Sequence, residues 1–184
     1  MNEIIKGGTI AYNIIKNSQS VSNVGEIPFV NAIPNGASCE NMSGWEKTSI
    51  NLTRKNSIFI RGSFSNSPMF DIDIFINWFY NGRFRGAGSY ISNATVSHVL
   101  KKCASTLSFD LSVSFGKPYN AGGSEMHTKA HLPFAITLHV VHRLLGIRSS
   151  EDIWQWTGEI GGEPGVDDQG NTIGWYSWTQ KKIR

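Results

Sequence analysis

Charged residues are scarce in this chain: they make up 17% of its 184 residues, whereas an average soluble domain has roughly 25%. Proline (6) and cysteine (2) are also few. No apolar stretch approaches the roughly 18 consecutive residues of a membrane-spanning helix. The composition excludes a coiled coil, which needs many Glu and Lys residues, and it predicts no insertion into a membrane.

The two cysteines, Cys39 and Cys103, form no CxxC pair. The N-terminal sequence MNEIIKGGTIAYNII has no basic region followed by an apolar core, which a signal peptide requires. We therefore expect synthesis in a cytoplasm and two reduced thiols, with a single disulfide as the alternative.

Motifs of catalysis and cofactor binding are missing as well. The chain has no GxSxG, GxxxxGKS, GxxxxGKT or GxGxxG sequence. His127 and His131 have the spacing of zinc ligands on a helix, but Gly122–Gly123 and Pro133 flank them and disfavour a helix. On a strand their Cα atoms would lie about 13 Å apart. We expect no metal, no cofactor and no catalytic residue.

Small polar residues and aromatic residues take the place of the missing charges. Glycine (19), serine (21) and asparagine (15) are abundant, and ten Phe, six Trp and five Tyr supply material for a core. The composition predicts a folded domain rather than a disordered chain. A net charge of +3 is too small to predict binding to nucleic acid.

Apolar and polar residues alternate in several segments, as they do in half-buried strands. Residues 70–79 read FDIDIFINWF. We predict that Asn81–Gly82 then forms the tight turn of a hairpin whose return strand covers 83–91. Another strand is predicted at 106–115, with an inward face formed by Leu107, Phe109, Leu111, Val113 and Phe115.

The remaining segments are less regular. Residues 49–63 predict strands around a polar turn, and 152–160 and 172–183 predict two more strands around a loop. Residues 134–145 favour a strand over a helix, and 96–104 is the other helix candidate.

At least seven short strands with turns between them predict an all-β fold. We expect an antiparallel β-sandwich or jelly-roll-like domain over residues 45–184.

Residues 1–44 differ from the rest, because short apolar anchors alternate with Gly, Asn, Ser and Pro. We interpret this segment as an extended N-terminal arm that lies on another surface, such as a neighbouring subunit. A first strand followed by loops is the alternative. The predicted anchors are Ile4, Ile5, Ile10, Ile14, Ile15, Phe29 and Val30.

The C-terminal region is rich in aromatic residues. On strands, Trp154 and Trp156 would share a face, whereas Trp175 would oppose Tyr176 and Trp178. Aromatic residues of this kind anchor subunit interfaces, fill a core, or form a platform for sugar rings. All three alternatives stay open for these five residues.

The Gly/Ser/Asn-rich composition, the apolar-dotted arm at Ile4–Val30 and the hairpin-rich body at 49–183 resemble virion proteins of tailed phages. Decoration, head-fibre, tail and receptor-binding subunits are of this kind. The resemblance implies a non-catalytic structural or attachment subunit that localises to the virion. It also implies a homo-oligomer that contacts other virion proteins, with a cell-surface glycan as a further partner. The alternative is a carbohydrate-binding β-sandwich module that uses exposed tryptophans.

Overall fold

The computed structural model describes residues 10–14, 29–54, 58–61, 68–122, 127–144 and 147–184. Within these ranges the chain forms two antiparallel sheets packed together, and the predicted all-β sandwich is confirmed. In chain order the strands are β1 (Ile10–Ile14), β2 (Val30–Ala32), β3 (Glu46–Asn51), β4 (Ile58–Arg61), β5 (Pro68–Phe84), β6 (Ala87–Cys103), β7 (Leu107–Phe115), β8 (Tyr119–Asn120), β9 (Ala130–Leu144), β10 (Ile147–Val166) and β11 (Thr172–Lys182).

The order of the strands places β3 and β11 at sheet edges. The first sheet has the order β1–β7–β9–β10–β11, with β8 paired to β9. The second has the order β2–β6–β5–β3, with β4 paired to β5. Because β3 and β11 also contact each other, these two edges lie on the same side of the sandwich.

The core lies between the sheets and follows the alternation in the sequence. On β5, Ile72, Ile74 and Ile76 are 0% exposed. On β7, four residues of the predicted inward face are at most 5% exposed. The fifth, Phe109, is half-buried and meets the ring of Phe70 edge-on. The predicted inward face of β7 is therefore confirmed.

The predicted turn at Asn81–Gly82 is wrong, because β5 continues through these residues. The hairpin turns instead at Arg85 (φ 52°) and Gly86 (φ 77°), between the paired residues Phe84 and Ala87. Positive φ at both central residues is the requirement of a type I′ turn.

Asn81 and Gly82 have a different role in β5. Asn81 has a φ of 61° and lies where the β5–β6 register shifts. Ser43 extends the pairing of β5 on its other side by exchanging two backbone hydrogen bonds with Arg83. The sequence signal of a hairpin turn here marks an irregularity within a long strand.

Both helix candidates are strands. Residues 96–104 belong mostly to β6, which pairs with β5 along its length, so a helix there is wrong. Residues 134–144 belong to β9, as the favoured interpretation predicted. Residues 49–63 do not form a hairpin of their own, since β3 and β4 both pair with β5, one after the other.

Within residues 1–44, the described parts include β1, β2 and a short 3-10 turn at Cys39–Asn41. The Cys39 and Cys103 thiols are free and partly buried. Across the described ranges, no helix is long and apolar enough to cross a membrane.

Candidate functional site

A groove of about 610 Å³ opens where β3 and β11 meet. We call it the β3–β11 groove. Its aromatic residues are Phe75, Tyr176 and Trp178. Its polar residues include Ser49, Asn51, Arg54, Asp168, Thr179 and Gln180. The groove therefore combines an aromatic surface with hydrogen-bond donors and acceptors.

The pleat of β11 explains why its aromatic residues separate. Tyr176 and Trp178 lie two residues apart on one face, partly buried and packed against the core. Trp175 lies on the opposite face, where its ring stacks on His131 at 4.4 Å between centroids. The predicted opposition of Trp175 to Tyr176 and Trp178 is confirmed.

The β10–β11 turn forms one end of the groove. The Asp167 side chain accepts hydrogen bonds from the backbone N–H of Gln169 (2.8 Å) and of Asn171 (2.9 Å). Its second oxygen accepts one from the Asn171 amide. These bonds, together with the charge of Arg54, lower the pKa of Asp167. Asp167 therefore shapes the turn, which is shorter than the loop predicted between 160 and 172 because β10 continues to Val166.

The groove also contains an unsatisfied acceptor. The Oε1 atom of Gln180 is buried and has no hydrogen-bond partner. Gln180 is paired with Trp156 across β10 and β11, and the Nε1 atom of Trp156 is likewise buried without a partner. Buried polar atoms are nearly always hydrogen-bonded, so this pair of positions is unusual.

A second polar cluster lies beside Trp175. His131 is 6% exposed, and its ring lies between two carboxylates. Nε2 is 3.1 Å from Glu163 and Nδ1 is 3.3 Å from Glu159. Tyr119 donates a hydrogen bond of 2.7 Å to the same Glu159 oxygen. The cluster therefore links β8, β9 and β10 at the irregularity in β10 between Ile160 and Pro164.

Charge controls the pKa values of this cluster. Burial alone would lower the pKa of His131, but hydrogen bonds and charge from Glu163 and Glu159 outweigh burial and raise it. Burial alone would raise the pKa of Glu163, but His131, its own backbone and Lys129 together lower it. The hydrogen bond to Glu159 raises the pKa of Tyr119 to about 12. The cluster thus favours an imidazolium between two carboxylates.

The free side of β7 is covered by β1. The pairing is antiparallel and runs from Ile10↔Phe115 to Ile14↔Leu111. Without β1, β7 would present a row of unpaired backbone N–H and C=O groups at the sheet edge.

The predicted arm anchors have different locations. Ile4, Ile5 and Ile15 lie outside the described residues, whereas Ile10 and Ile14 are the ends of β1. Phe29 is 64% exposed, which suits an anchor. Val30 is 3% exposed in the core of its own domain, so it is not available to another surface.

The five aromatic candidates also separate. Trp156 is 0% and Trp154 8% exposed, so the ordinary-core alternative applies to both. Trp175 belongs to the His131 cluster. Tyr176 and Trp178 alone of the five line the groove.

Each of three histidines on β9 faces a carboxylate: His131 as above, His139 toward Glu151 and His142 toward Asp152. Over the ranges that the structure describes, no group of three or more His, Cys, Asp or Glu residues is arranged to hold a metal ion.

Several residues of both sites were missed in the sequence. Arg54, Phe75 and Gln180 reach the groove only because the edges of different sheets meet, which no local pattern reveals. Glu159 and Glu163 meet His131 through the β9–β10 register, in which His131 pairs with Gly161. The i,i+4 spacing of His127 and His131 looks for partners along the chain next to His131, whereas both carboxylates lie on the neighbouring strand β10.

Comparison with known proteins gave no match among protein-family models, curated proteins or solved structures.

Proposed function

We propose that this protein is a non-catalytic structural or attachment subunit of a virion of the tailed-phage kind. It acts by assembling with copies of itself and with other virion proteins. The observation that carries the proposal is the pairing of β1 with the β7 edge, since edge pairing by an added strand is a common mode of association between chains.

The length of the chain after β1 supports exchange of this strand between copies. Residues 15–28 separate β1 from the described chain that begins at Phe29. An extended segment of this length spans up to about 50 Å. A linker of this length lets β1 pair with a β7 edge up to that distance from Phe29, in its own copy or in a neighbouring one. Such an exchange would join copies through backbone hydrogen bonds, and it would also cover an edge that is otherwise prone to aggregation.

Proline substitutions in β1 test the proposal. Adjacent residues of a strand point their N–H groups in opposite directions, so either Tyr12→Pro or Asn13→Pro removes a hydrogen bond to β7. Ser20→Pro, outside β1, is the matched control. We expect light scattering to show an oligomer for the full chain and for Ser20→Pro, and a folded monomer for at least one β1 variant.

A full chain that stays monomeric at high protein concentration contradicts the assembly proposal, as does an oligomer that neither β1 variant changes. The virion assignment is tested separately by gene order. Neighbouring genes for capsid, portal or tail proteins support it, and neighbours from an unrelated metabolic operon contradict it.

A further inference from the structure

We propose that the β3–β11 groove binds a neutral carbohydrate. Tyr176 and Trp178 form the stacking surface, and the polar residues around them contact the hydroxyl groups. The inference does not depend on assembly through β1, because the groove lies at the edges β3 and β11, whereas β1 lies at the far edge of the first sheet.

The aromatic part of the groove fits the face of a sugar ring. Tyr176 and Trp178 are two residues apart on one strand, so their Cα atoms are about 6.6–6.8 Å apart. This spacing is comparable with the length of one sugar unit. The C–H groups on a pyranose face carry slight positive charge and pack on the electron-rich face of an aromatic ring. Both rings are partly buried against the core, so they are held in place before a ligand binds.

The polar part of the groove fits the hydroxyl groups. Asn51, Asp168, Arg54 and Ser49 lie in the lining beside the aromatic residues. The Asn51 Oδ1 atom already accepts hydrogen bonds from Thr53, so Asn51 offers its amide N–H groups to a ligand. A sugar hydroxyl both donates and accepts, so it matches a mixed set of donors and acceptors better than an apolar ligand does. A site that combines aromatic surface with a few directed polar groups is typical of small-ligand binding.

Gln180 provides an independent argument for a ligand. Its Oε1 atom is buried without a partner, whereas buried polar atoms are nearly always hydrogen-bonded. A ligand hydroxyl that reaches this atom would donate the missing hydrogen bond. Gln180 lies on the same face of β11 as Tyr176 and Trp178, next along the strand.

The charges indicate a neutral sugar rather than an acidic one. Asp167 and Asp168 contribute two negative charges to the groove lining and Arg54 one positive charge, so the lining carries a net charge of −1. A sialylated, sulfated or phosphorylated ligand would meet a repulsive field. An extended peptide that pairs with the β3 or β11 edge is the competing occupant.

Titration of the full chain with neutral oligosaccharides tests the proposal. The probes are glucan, mannan, galactan, xylan and chitin hexasaccharides, with a sialylated glycan, a sulfated glycan and a short extended peptide for comparison. Calorimetry gives the affinity. The key variant is Trp178→Ala, and the matched control is Trp175→Ala on the opposite face of the same strand. Circular dichroism and thermal unfolding establish whether each variant is folded.

We expect at least one neutral oligosaccharide to bind, with affinity reduced at least about tenfold in Trp178→Ala, because this variant removes one of the two rings on which the sugar packs. Trp175→Ala should stay within about twofold of the natural chain. If Trp178→Ala does not fold, Ser49→Gln replaces it, because Ser49 is exposed on β3 and a longer side chain there narrows the groove.

Three results would overturn the inference. They are no binding by any neutral probe, binding only by the acidic glycans or by an extended peptide, and equal loss of affinity in Trp175→Ala and Trp178→Ala. Light scattering on the same samples gives the oligomeric state independently of glycan binding. Failure of the carbohydrate proposal is therefore distinguishable from failure of the assembly proposal.

Discussion

Alanine at position 82 should destabilise the protein through Trp45, although Gly82 is not in a turn. A Cβ atom on Gly82 would lie 2.1 Å from both Cη2 and Cζ3 of the Trp45 ring, far inside van der Waals contact. The φ angle of Gly82 is not among the positive ones, so the alanine backbone itself is not strained. The whole cost therefore comes from displacing the indole.

The structure gives the size of this effect. Trp45 is partly buried against the core, and its Nε1 donates a hydrogen bond of 3.2 Å to the Cys39 carbonyl. Loss of that bond costs about 0.5–1.5 kcal/mol. Re-exposing about half of the roughly 200 Å² that a tryptophan buries costs a further 2–3 kcal/mol or so. A total near 3 kcal/mol lowers Tm by about 6–12 °C in a domain of this size.

A double-mutant cycle isolates the contact. Urea denaturation followed by far-UV circular dichroism gives the free energy of unfolding for the natural chain, Gly82→Ala, Trp45→Ala and the double variant. Without the indole, Gly82→Ala should cost less than about 1 kcal/mol, so most of its effect disappears. An equal cost of Gly82→Ala in both backgrounds would refute the reasoning and assign the glycine a backbone role.

Three further outcomes follow from the core and the histidine cluster. Because the pKa of His131 is raised in the folded state, this residue stabilises the fold at pH values below 6.5, the ordinary pKa of histidine. The contribution is lost as the pH rises through the folded-state pKa. Because the pKa of Glu163 is lowered in the folded state, this residue stabilises the fold at pH values above 4.5, the ordinary pKa of glutamate. The contribution is lost as the pH falls through the folded-state pKa. Unfolding by urea across pH should therefore show the cluster's stabilisation greatest between these values, and a His131→Gln variant should have a flatter profile. Trp78→Phe should cost about 1–3 kcal/mol in the same assay beyond any packing loss, because it leaves the Gly161 carbonyl without its buried partner; an unchanged unfolding midpoint would contradict this. Gly174→Ala should lower Tm as well, since its Cβ atom would lie 2.6 Å from Nε1, 2.8 Å from Cε2 and 2.9 Å from Cζ2 of Trp78. A Trp78→Phe background should relieve part of that clash, because phenylalanine lacks these indole atoms.

The sequence predicted best where one face of a strand is buried and the other is not. The alternation in 70–79 and 106–115 predicted both strands and the buried face, because a period of two places every second side chain toward the core. The hairpin turn was misplaced, since Asn81–Gly82 and Arg85–Gly86 are both compatible with positive φ. Pairing of Ser43 with Arg83, a long-range contact, carries the strand past the first of them.

The candidate sites were less predictable than the strands. The division of Trp175 from Tyr176 and Trp178 follows from the pleat and was correct, but Trp154 and Trp156 belong to the core. Which aromatic residues meet a groove depends on where two sheet edges come together. Glu159 and Glu163 lie on either side of His131 at an irregularity in β10, and hydrophobic periodicity does not predict such an irregularity.

Strand exchange through β1 is tested most directly by mixing two single-cysteine chains. Asn13 and Ser112 are paired in the β1–β7 register, and paired residues have Cα atoms about 4.5–5.5 Å apart, within disulfide range. Cys39 and Cys103 are first replaced by alanine. One chain then carries Asn13→Cys, the other Ser112→Cys and a larger tag, with Ser177→Cys as the control on β11.

The account predicts that oxidation of the mixture gives a disulfide between the two chains of different size, and none with the Ser177→Cys control. The contradicting result is a disulfide that forms only when Asn13→Cys and Ser112→Cys are in the same chain and that gives a cross-linked monomer, because β1 then covers the β7 edge of its own copy.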